Sequence, residues 1–206
     1  MLATTQLECV RGDRRLFSNL DFDAPPHTLL EVRGPNGSGK TSLLRTLCGL
    51  LAPASGTISW SGTEIHKLGD DYRSQLAYLG HLSGVKDELT ASENLRFAAE
   101  VAGLSSGTRS VDAALERMGL ADFRHLPCKA LSQGQRRRVA LARLCLAASR
   151  PLWILDEPFT ALDSAALNVI KALVETHLTD GGMVVLTTHQ EVPIASRCTR
   201  RVELGR

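Results

Sequence analysis

The sequence predicts an α/β fold with three parts: a core built on a parallel β-sheet, an N-terminal antiparallel β flap and an inserted helical subdomain. PLWILDEP and GGMVVLTTH are apolar runs of the kind that form strands buried on both faces of a parallel sheet. The segment LDFDA instead alternates apolar and polar residues with the period of a half-buried strand. Between about residues 83 and 148 the pattern turns helical, so a helical lobe interrupts the α/β core.

The other elements follow in chain order. Residues 7–32 are predicted as strands, and the last of them, TLLEV, leads directly into a glycine-rich loop. After the loop, SLLRTLCGLL has leucines at helical spacing and is stopped by Gly49 and Pro53. SGTISWSGTEI then returns to the turn-and-strand pattern expected of the flap. Thr90 and Glu93, at the start of TASENLRFAAEVAGL, form the signature of a helix capping box.

Size and composition are those of an ordinary globular protein, with 43% hydrophobic and 22% charged residues. We expect a single domain over residues 1–206, with its core in 1–82 and 149–206 and the helical subdomain at about 83–148. The net charge is only +2. We interpret the densest basic run, Arg136–Arg138, as a solvated helix turn before a core-facing Val139, so nucleic acid is not expected as a partner.

The five cysteines are scattered without a C-x-x-C pair, which predicts reduced thiols in a cytoplasmic compartment. The first residues lack a basic segment followed by an apolar stretch, so we expect no signal peptide. No window approaches the roughly 18 apolar residues of a membrane-spanning helix. Any work at a membrane is therefore expected to need a different chain as the membrane part.

The glycine-rich loop GPNGSGKT fits a strand–loop–helix phosphate-binding motif at every position. Its residues are Gly34, Pro35, Asn36, Gly37, Ser38, Gly39, Lys40 and Thr41. The glycines let backbone N–H groups turn toward a polyphosphate, and the following helix points its positive end at the same oxygens. Lys40 adds a positive charge at the β- and γ-phosphates, and the Thr41 hydroxyl can bind Mg²⁺.

A second part of the same site is predicted in WILDEP. Asp156 ends a buried strand, where a carboxylate is costly unless it meets a cation, and we expect Mg²⁺ to be that cation, held through a bound water. Glu157 follows it and is the candidate general base that polarises the attacking water. A solvated strand end is the alternative for an isolated Asp-Glu pair.

The segment LSQGQRRRVALAR, residues 131–143, resembles the signature sequence of ABC-type ATPases. Ser132, Gly134 and Gln135 are in place, and Gln133 stands where a second glycine is usual. If the motifs follow the order usual in this family, Asp163 in TALD lies at the D-loop and His189 in TTH is the switch histidine. The resemblance runs from end to end and implies a P-loop NTPase core of the ABC type.

The resemblance also implies a mechanism. Two copies form a head-to-tail homodimer in the ATP-bound state, so that Ser132 and Gly134 of one chain cover the γ-phosphate bound by the other. Glu157 and His189, with Lys40, form the implied catalytic set. Asp163 links the two sites across the dimer.

Two positions depart from the family pattern. Arg11 stands where an aromatic residue usually stacks on adenine; a guanidinium can stack on a base too, and an exposed turn residue is the open alternative. His81, in YLGHLSGVKDELT, occupies the Q-loop position of the usual glutamine. Imidazole can supply a comparable donor or acceptor near the metal, or His81 merely caps a loop.

The His81 segment, the short chain and PLWILDEPFTALD together resemble the ATP-binding subunits of bacterial cytochrome c maturation systems. That resemblance implies a permease-like membrane subunit, other haem-handling membrane subunits and a peripheral place on the cytoplasmic face of the inner membrane. ATP hydrolysis would drive haem export or the release of a haem-loaded chaperone. Haem itself is expected on the partners, because C-x-x-C-H is absent and His125 and Cys128, in HLPC, are expected in a surface loop.

Three alternatives remain. The first is the ATPase of another small-molecule ABC exporter, and only the His81 segment of the sequence argues against it. A non-transport ABC ATPase that acts on nucleic acid or ribosomes usually carries two nucleotide domains or a long coiled-coil insertion, and this chain has neither. A catalytically silent binding module predicts loss of Glu157 or His189, and both are present.

Overall fold

A computed structural model describes residues 1–104 and 107–205 of the chain. The strands are β1 (Leu2–Arg11), β2 (Arg14–Ala24), β3 (Thr28–Arg33), β4 (Ser55–Trp60), β5 (Thr63–Glu64), β6 (Leu76–Leu79), β7 (Leu152–Asp156), β8 (Met183–Thr187) and β9 (Cys198–Glu203). The α-helices are α1 (Lys40–Leu47), α2 (Ile65–Leu68), α3 (Asp70–Ser74), α4 (Ala91–Val101), α5 (Thr108–Arg117), α6 (Gln133–Leu146) and α7 (Ser164–Thr179). Short 3₁₀ turns lie at Ala121–Phe123 and Cys128–Ala130.

The strands form two sheets. An antiparallel sheet has the order β2-β1-β4-β5, and a parallel sheet has the order β6-β7-β8-β3-β9. Every residue of β7 and β8 is buried, as their apolar sequences predicted. The predicted α/β fold, with an antiparallel flap and helices, is confirmed.

Two hydrophobic clusters cover the two faces of the parallel sheet. Since side chains alternate along a strand, Ile154 faces one cluster and Leu155 faces the other. The Ile154 cluster includes Leu43 and Leu44 of α1 and the first residues of the flap. The Leu155 cluster includes the apolar faces of α4, α5, α6 and α7. The phosphate-loop helix and the helical segment therefore lie against opposite faces of one sheet.

Between residues 83 and 148 the structure contains α4, α5 and α6, whose fully buried Leu95, Val111 and Val139 pack into one cluster. The capping box at Thr90 is confirmed: its hydroxyl accepts a hydrogen bond from the Glu93 amide, and the Glu93 carboxylate accepts one from the Thr90 amide. The boundaries 1–82, 83–148 and 149–206 stay a prediction. In the described part of the chain, no helix is both long and apolar enough to cross a bilayer.

The cysteines are all free thiols, and Cys9, Cys48 and Cys128 are buried. The prediction that HLPC lies in a surface loop is confirmed for His125, which is exposed, but is wrong for Cys128. The Cys128 thiol is fully buried and accepts a hydrogen bond from the Asn94 amide, because the 3₁₀ turn at Cys128 packs against α4. Burial raises the pKa of this thiol.

Candidate nucleotide site

The carboxyl ends of four parallel strands meet at one edge of the sheet, which is where α/β sheets bind their ligands. The phosphate loop follows β3, Asp156 ends β7, His189 follows β8, and His81 follows β6. The registers pair Leu79 with Leu155 and Asp156 with Thr187, so these ends lie side by side.

The phosphate loop requires its glycines. Gly34 has φ 147°, and a Cβ there would lie 2.5 Å from the Leu204 carbonyl oxygen. Gly39, the N-cap of α1, has φ 100°, and a Cβ there would lie 3.0 Å from the Leu16 side chain. The loop packs closely between Leu204, which follows β9, and the flap at Leu16, so both positions exclude larger residues.

Lys40 is the first residue of α1 and is only 8% exposed. Its ammonium group donates hydrogen bonds to the carbonyl oxygens of Gly34, at 2.7 Å, and Pro35, at 3.0 Å. The Ser38 hydroxyl in the same loop is buried without a hydrogen-bond partner among the described residues. A buried cation and an unsatisfied buried hydroxyl are the groups that a polyphosphate would satisfy.

Asp156, 2% exposed, accepts hydrogen bonds from two hydroxyls. Thr41 donates to one carboxylate oxygen at 2.8 Å, and Thr187 donates to the other at 2.6 Å. The Thr187 hydroxyl in turn accepts a hydrogen bond of 2.9 Å from the Glu157 amide. The sequence analysis did not identify Thr187 as a site residue. Its position at the end of β8, next to a strand that ends in a buried carboxylate, could have identified it.

The hydroxyl of Thr41 and the carboxylate of Asp156 fit Mg²⁺, which prefers oxygen ligands. Among the described residues, no group of three or more His, Cys, Asp or Glu side chains could hold a metal alone. Mg²⁺ commonly keeps several waters and shares its sphere with substrate phosphates, so one carboxylate and one hydroxyl suffice at such a site.

Glu157 lies beside His189. A Glu157 carboxylate oxygen is 3.3 Å from Nε2 of His189, and the other oxygen accepts a hydrogen bond of 3.2 Å from Thr160. Glu157 has φ 49°, in the left-handed region that non-glycine residues rarely adopt. The two carboxylates have different partners, the Thr41 and Thr187 hydroxyls for Asp156 and His189 with Thr160 for Glu157, so they are available for different tasks.

Two cavities adjoin Glu157. One, of about 230 Å³, is lined by the phosphate loop together with Arg11 and Leu16, so Arg11 does lie at the edge of the nucleotide site. The other, of about 340 Å³, contains His81 and Gln133 with Glu157. The structure thus places His81 and the candidate base in the lining of one cavity.

The signature residues Ser132 to Gln135 begin α6. The Ser132 hydroxyl accepts a hydrogen bond from the Gln135 amide, and the Gln135 side chain accepts one from the Ser132 amide. Gly134 approaches Ala161 so closely that a Cβ would lie 3.3 Å from its carbonyl oxygen. Of these residues only Gln133 lines a cavity beside Glu157, and, in the described chain, the phosphate-loop cavity includes none of them.

Asp163 precedes α7 and is its N-cap, because its carboxylate accepts a hydrogen bond of 2.7 Å from the Ala166 amide. The predicted D-loop position therefore has a local structural role within one chain. Its proposed role across a dimer stays a prediction.

The interpretation of Arg136–Arg138 as a solvated turn is wrong for Arg137. Its side chain is 8% exposed, and Nη2 donates hydrogen bonds to the carbonyl oxygens of Asp156, at 3.2 Å, and Glu157, at 2.7 Å. The physical reason is helical periodicity: Arg137 shares a face of α6 with the buried Leu141 and Leu144. That spacing was the signal in the sequence, and the flanking arginines concealed it.

Comparison with known proteins agrees with this geometry. A family model described as ABC transporter matches residues 17–160. The chain is 55% identical over 198 residues to the cytochrome c biogenesis ATP-binding export protein CcmA of Nitrosospira multiformis, covering 96% of each chain. It is 53% identical over 205 residues to the protein of the same name from Dechloromonas aromatica, covering 100% of each.

Solved structures resemble the chain in fold. The ATP-binding subunit of an ABC transporter matches with a TM-score of 0.81 at 28% identity, over 91% of this chain and 79% of that one. A dimeric, post-hydrolysis state of the ATP-binding cassette MJ0796, bound to ADP and Pi, matches with a TM-score of 0.80 at 26% identity, over 92% of this chain and 88% of that one.

Proposed function

The chain belongs to the ABC transporter family, and on that premise we propose that it is the ATP-hydrolysing subunit of a membrane complex for cytochrome c biogenesis. Its cycle would drive haem export or the release of a haem-loaded chaperone. The observation that carries the ATPase role is the convergence of Lys40, Asp156 and Glu157 at one sheet edge, with His189 3.3 Å from Glu157. The high identity to cytochrome c biogenesis proteins over the whole chain supports the cellular role.

Nucleotide binding is an exchange of hydrogen-bond partners in the phosphate loop. The Lys40 ammonium, which the Gly34 and Pro35 carbonyls hold without nucleotide, turns to the β- and γ-phosphate oxygens. The Ser38 hydroxyl gains its missing partner from the same phosphates. Arg11, at the rim of this cavity, is placed to stack on the base.

Hydrolysis uses the groups around Glu157. The Glu157 carboxylate accepts the proton of the attacking water as general base. Nε2 of His189 faces that carboxylate at 3.3 Å and carries a single hydrogen, which it would donate to the γ-phosphate when ATP is bound. Mg²⁺, when bound through Thr41 and a water on Asp156, supplies positive charge that offsets the charge of the β- and γ-phosphate oxygens. His81 borders the same space and takes the place of the usual glutamine.

The ATP-bound state is proposed to be a head-to-tail homodimer. Ser132, at the start of α6, is not among the described residues that line the chain's own phosphate-loop cavity, which supports a role at the γ-phosphate of a second chain. The N-terminus of an α-helix suits that task, because its free N–H groups attract anions. Loss of the γ-phosphate then removes the group that both chains bind, and the dimer opens.

A permease-like subunit is proposed to dock on the helical segment, placing this chain peripherally on the cytoplasmic face of the inner membrane. A groove of about 270 Å³ runs between β6 and α4, and Phe97 and Val101 at its edge are 46% and 74% exposed. Leu82, three residues after the end of β6, is 85% exposed. Exposed apolar side chains beside a groove are typical of a protein contact.

Haem and nucleic acid are proposed not to bind this chain. His125 is exposed, whereas the Cys128 thiol is buried and engaged by Asn94, so the two do not form one ligand set. Haem is instead expected on the haem-handling membrane subunits.

The test is a pull-down of tagged Glu157→Gln protein from detergent-solubilised native membranes with Mg-ATP, with partners identified by mass spectrometry and haem by absorbance. We expect a permease-like subunit together with haem-handling proteins. The double variant Lys40→Ala/Glu157→Gln is the control that cannot trap nucleotide. A different permease without haem would overturn the haem role and keep the ATPase; a ribosomal or DNA-bound catch would overturn transport.

The same variant tests the general base. Glu157→Gln should bind ATP, lower kcat by about 10²–10⁴ and accumulate dimers that light scattering detects. Wild-type turnover in this variant would contradict the role of Glu157, and failure to form dimers with ATP would contradict the head-to-tail arrangement.

A further inference from the structure

Arg137 connects the signature helix to the backbone of the candidate base. It lies in α6, five residues after Ser132, and one of its terminal nitrogens donates to two successive carbonyl oxygens, those of Asp156 and Glu157. The side chain is 8% exposed. Burial lowers the pKa of Arg137 and the Asp156 and Glu157 carboxylates oppose that effect, so the guanidinium keeps its charge.

The Glu157 backbone needs such a contact. A φ of 49° is unfavourable for a residue with a Cβ, and it persists only where the surroundings hold it. Two contacts do so from opposite sides: the Glu157 amide donates to Thr187, and the Glu157 carbonyl accepts from Arg137 at 2.7 Å. The direction of the Glu157 carboxylate, and hence its contact with His189, follows from this backbone conformation.

We propose that Arg137 is a positioning residue for ATP hydrolysis, which holds the left-handed backbone of Glu157 so that its carboxylate meets the attacking water. This inference rests on the proposed ATPase function. The Arg137 side chain donates its hydrogen bonds to two carbonyl groups, and it is not among the described residues that line the phosphate-loop cavity.

The hydrogen bonds of Arg137 link the two proposed roles of α6, contact with a second chain's nucleotide and positioning of the chain's own general base. Five residues of helix span about 7.5 Å, so Ser132 and Arg137 belong to one rigid segment. Ser132 at its start faces the second chain's nucleotide in the proposed dimer, while Arg137 holds the first chain's own base. A shift of α6 when the dimer closes therefore moves the Glu157 backbone of the same chain.

The test compares Arg137→Met with Arg138→Met, in the subunit purified with its membrane partners. Arg138 is the matched control because it lies next in α6 and donates to the Met118 carbonyl, away from the site. We expect Arg137→Met to lower kcat about 10- to 100-fold with an unchanged Kd for a fluorescent ATP analogue, as misplaced catalytic groups do. Arg138→Met should keep wild-type kcat. Equal kcat in the two variants would overturn the proposal.

A double variant separates positioning from general structural damage. If Arg137 acts through Glu157, adding Arg137→Met to Glu157→Gln should not lower the residual kcat further. A further loss of 10-fold or more would overturn the proposal. Retention of wild-type kcat by Glu157→Gln alone would instead refute the proposed general base.

Should Arg137→Met fail to fold, as judged by circular dichroism, Arg137→Lys replaces it. A lysine keeps the charge, but its side chain is one bond shorter than the path to Nη2, the nitrogen that donates to both carbonyls. Because its ammonium group would not reach both carbonyls in the same geometry, we expect kcat about 3- to 10-fold below wild type with unchanged Kd. Wild-type kcat in Arg137→Lys would overturn the proposal.

Discussion

The hydroxyl of Thr41 donates a 2.8 Å hydrogen bond to the carboxylate of Asp156, although 115 positions separate the two residues in the chain. This contact joins the first turn of α1 to the end of β7. Because Thr187 donates to the other carboxylate oxygen, both oxygens of Asp156 are held by hydroxyl groups. The two protein groups proposed for Mg²⁺, the Thr41 hydroxyl and the Asp156 carboxylate, therefore lie in direct contact within one chain.

Replacing Thr41 by valine should lower kcat/KM for Mg-ATP by about 10- to 100-fold, since a hydrogen bond to a charged group is worth roughly 1.5–3 kcal/mol. ATPase assays over a range of Mg²⁺ concentrations measure the effect. Thr41→Ser keeps the hydroxyl and should retain most activity. Thr46→Val is the control within the same helix, because Thr46 donates only to the Ser42 carbonyl. Equal activity of the two valine variants would refute the metal role.

Lys40→Ala should abolish tight ATP binding and hydrolysis, because it removes the buried cation of the phosphate loop. Equilibrium binding of a fluorescent ATP analogue is the measurement. The control is Lys67→Ala, which removes a lysine that pairs with Glu64 at an exposed position. Turnover at the wild-type rate in Lys40→Ala would rule out the site.

His81→Ala should lower kcat about 5-fold, because it removes a hydrogen-bonding group from the cavity that His81 and Glu157 line together. His81→Gln should keep most of the wild-type kcat, because an amide can also donate and accept hydrogen bonds there. His66→Ala, which removes an exposed histidine beside Glu64, is the control in ATPase assays. Equal kcat in His81→Ala and wild type would mean that His81 has no part in turnover.

His177 should make the fold sensitive to acid. Its ring stacks on Trp153 with centroids 3.9 Å apart, and burial lowers its pKa to about 4. The unfolded chain, with a histidine pKa near 6.5, therefore binds more protons between pH 6.5 and 4. The free energy of unfolding should fall by about 3 kcal/mol in all as pH decreases through that window.

Urea denaturation at pH 7.0, 5.5 and 4.5 measures this dependence. His177→Gln should lose that part of the slope with pH, whatever its stability at pH 7, while His66→Gln should keep it. An unchanged slope in His177→Gln would show that other groups cause the acid sensitivity.

Local sequence patterns predicted the phosphate loop and the buried strand β7, because both depend on residues that are neighbours in the chain. The residue types alone predict a buried strand at the apolar run Leu152–Leu155 and a tight loop at the glycines from Gly34 to Gly39. The order of motifs along the chain then indicated which strand ends meet.

Contacts between distant segments were harder to predict. Thr187 reaches Asp156 only because β7 and β8 pair in the register Asp156 to Thr187, and the sequence does not specify register. Arg137 is buried because the end of β7 offers two carbonyl groups to the inner face of α6, and only the assembled fold brings them together. The spacing of Arg137 to Leu141 and Leu144 indicates its buried face of α6, but not the carbonyl groups that it meets there.

The capping box at Ser132 lowers the entropic cost of forming the proposed dimer. With the Ser132 hydroxyl oxygen and amide both engaged by Gln135, the side chain has lost its rotational freedom before a second chain arrives. Ordering a side chain on association typically costs about 0.5–1.5 kcal/mol, and here folding of the single chain has already met that cost. The hydroxyl hydrogen is still available as a donor, so in the proposed dimer Ser132 could contact the second chain's nucleotide without a further loss of side-chain freedom.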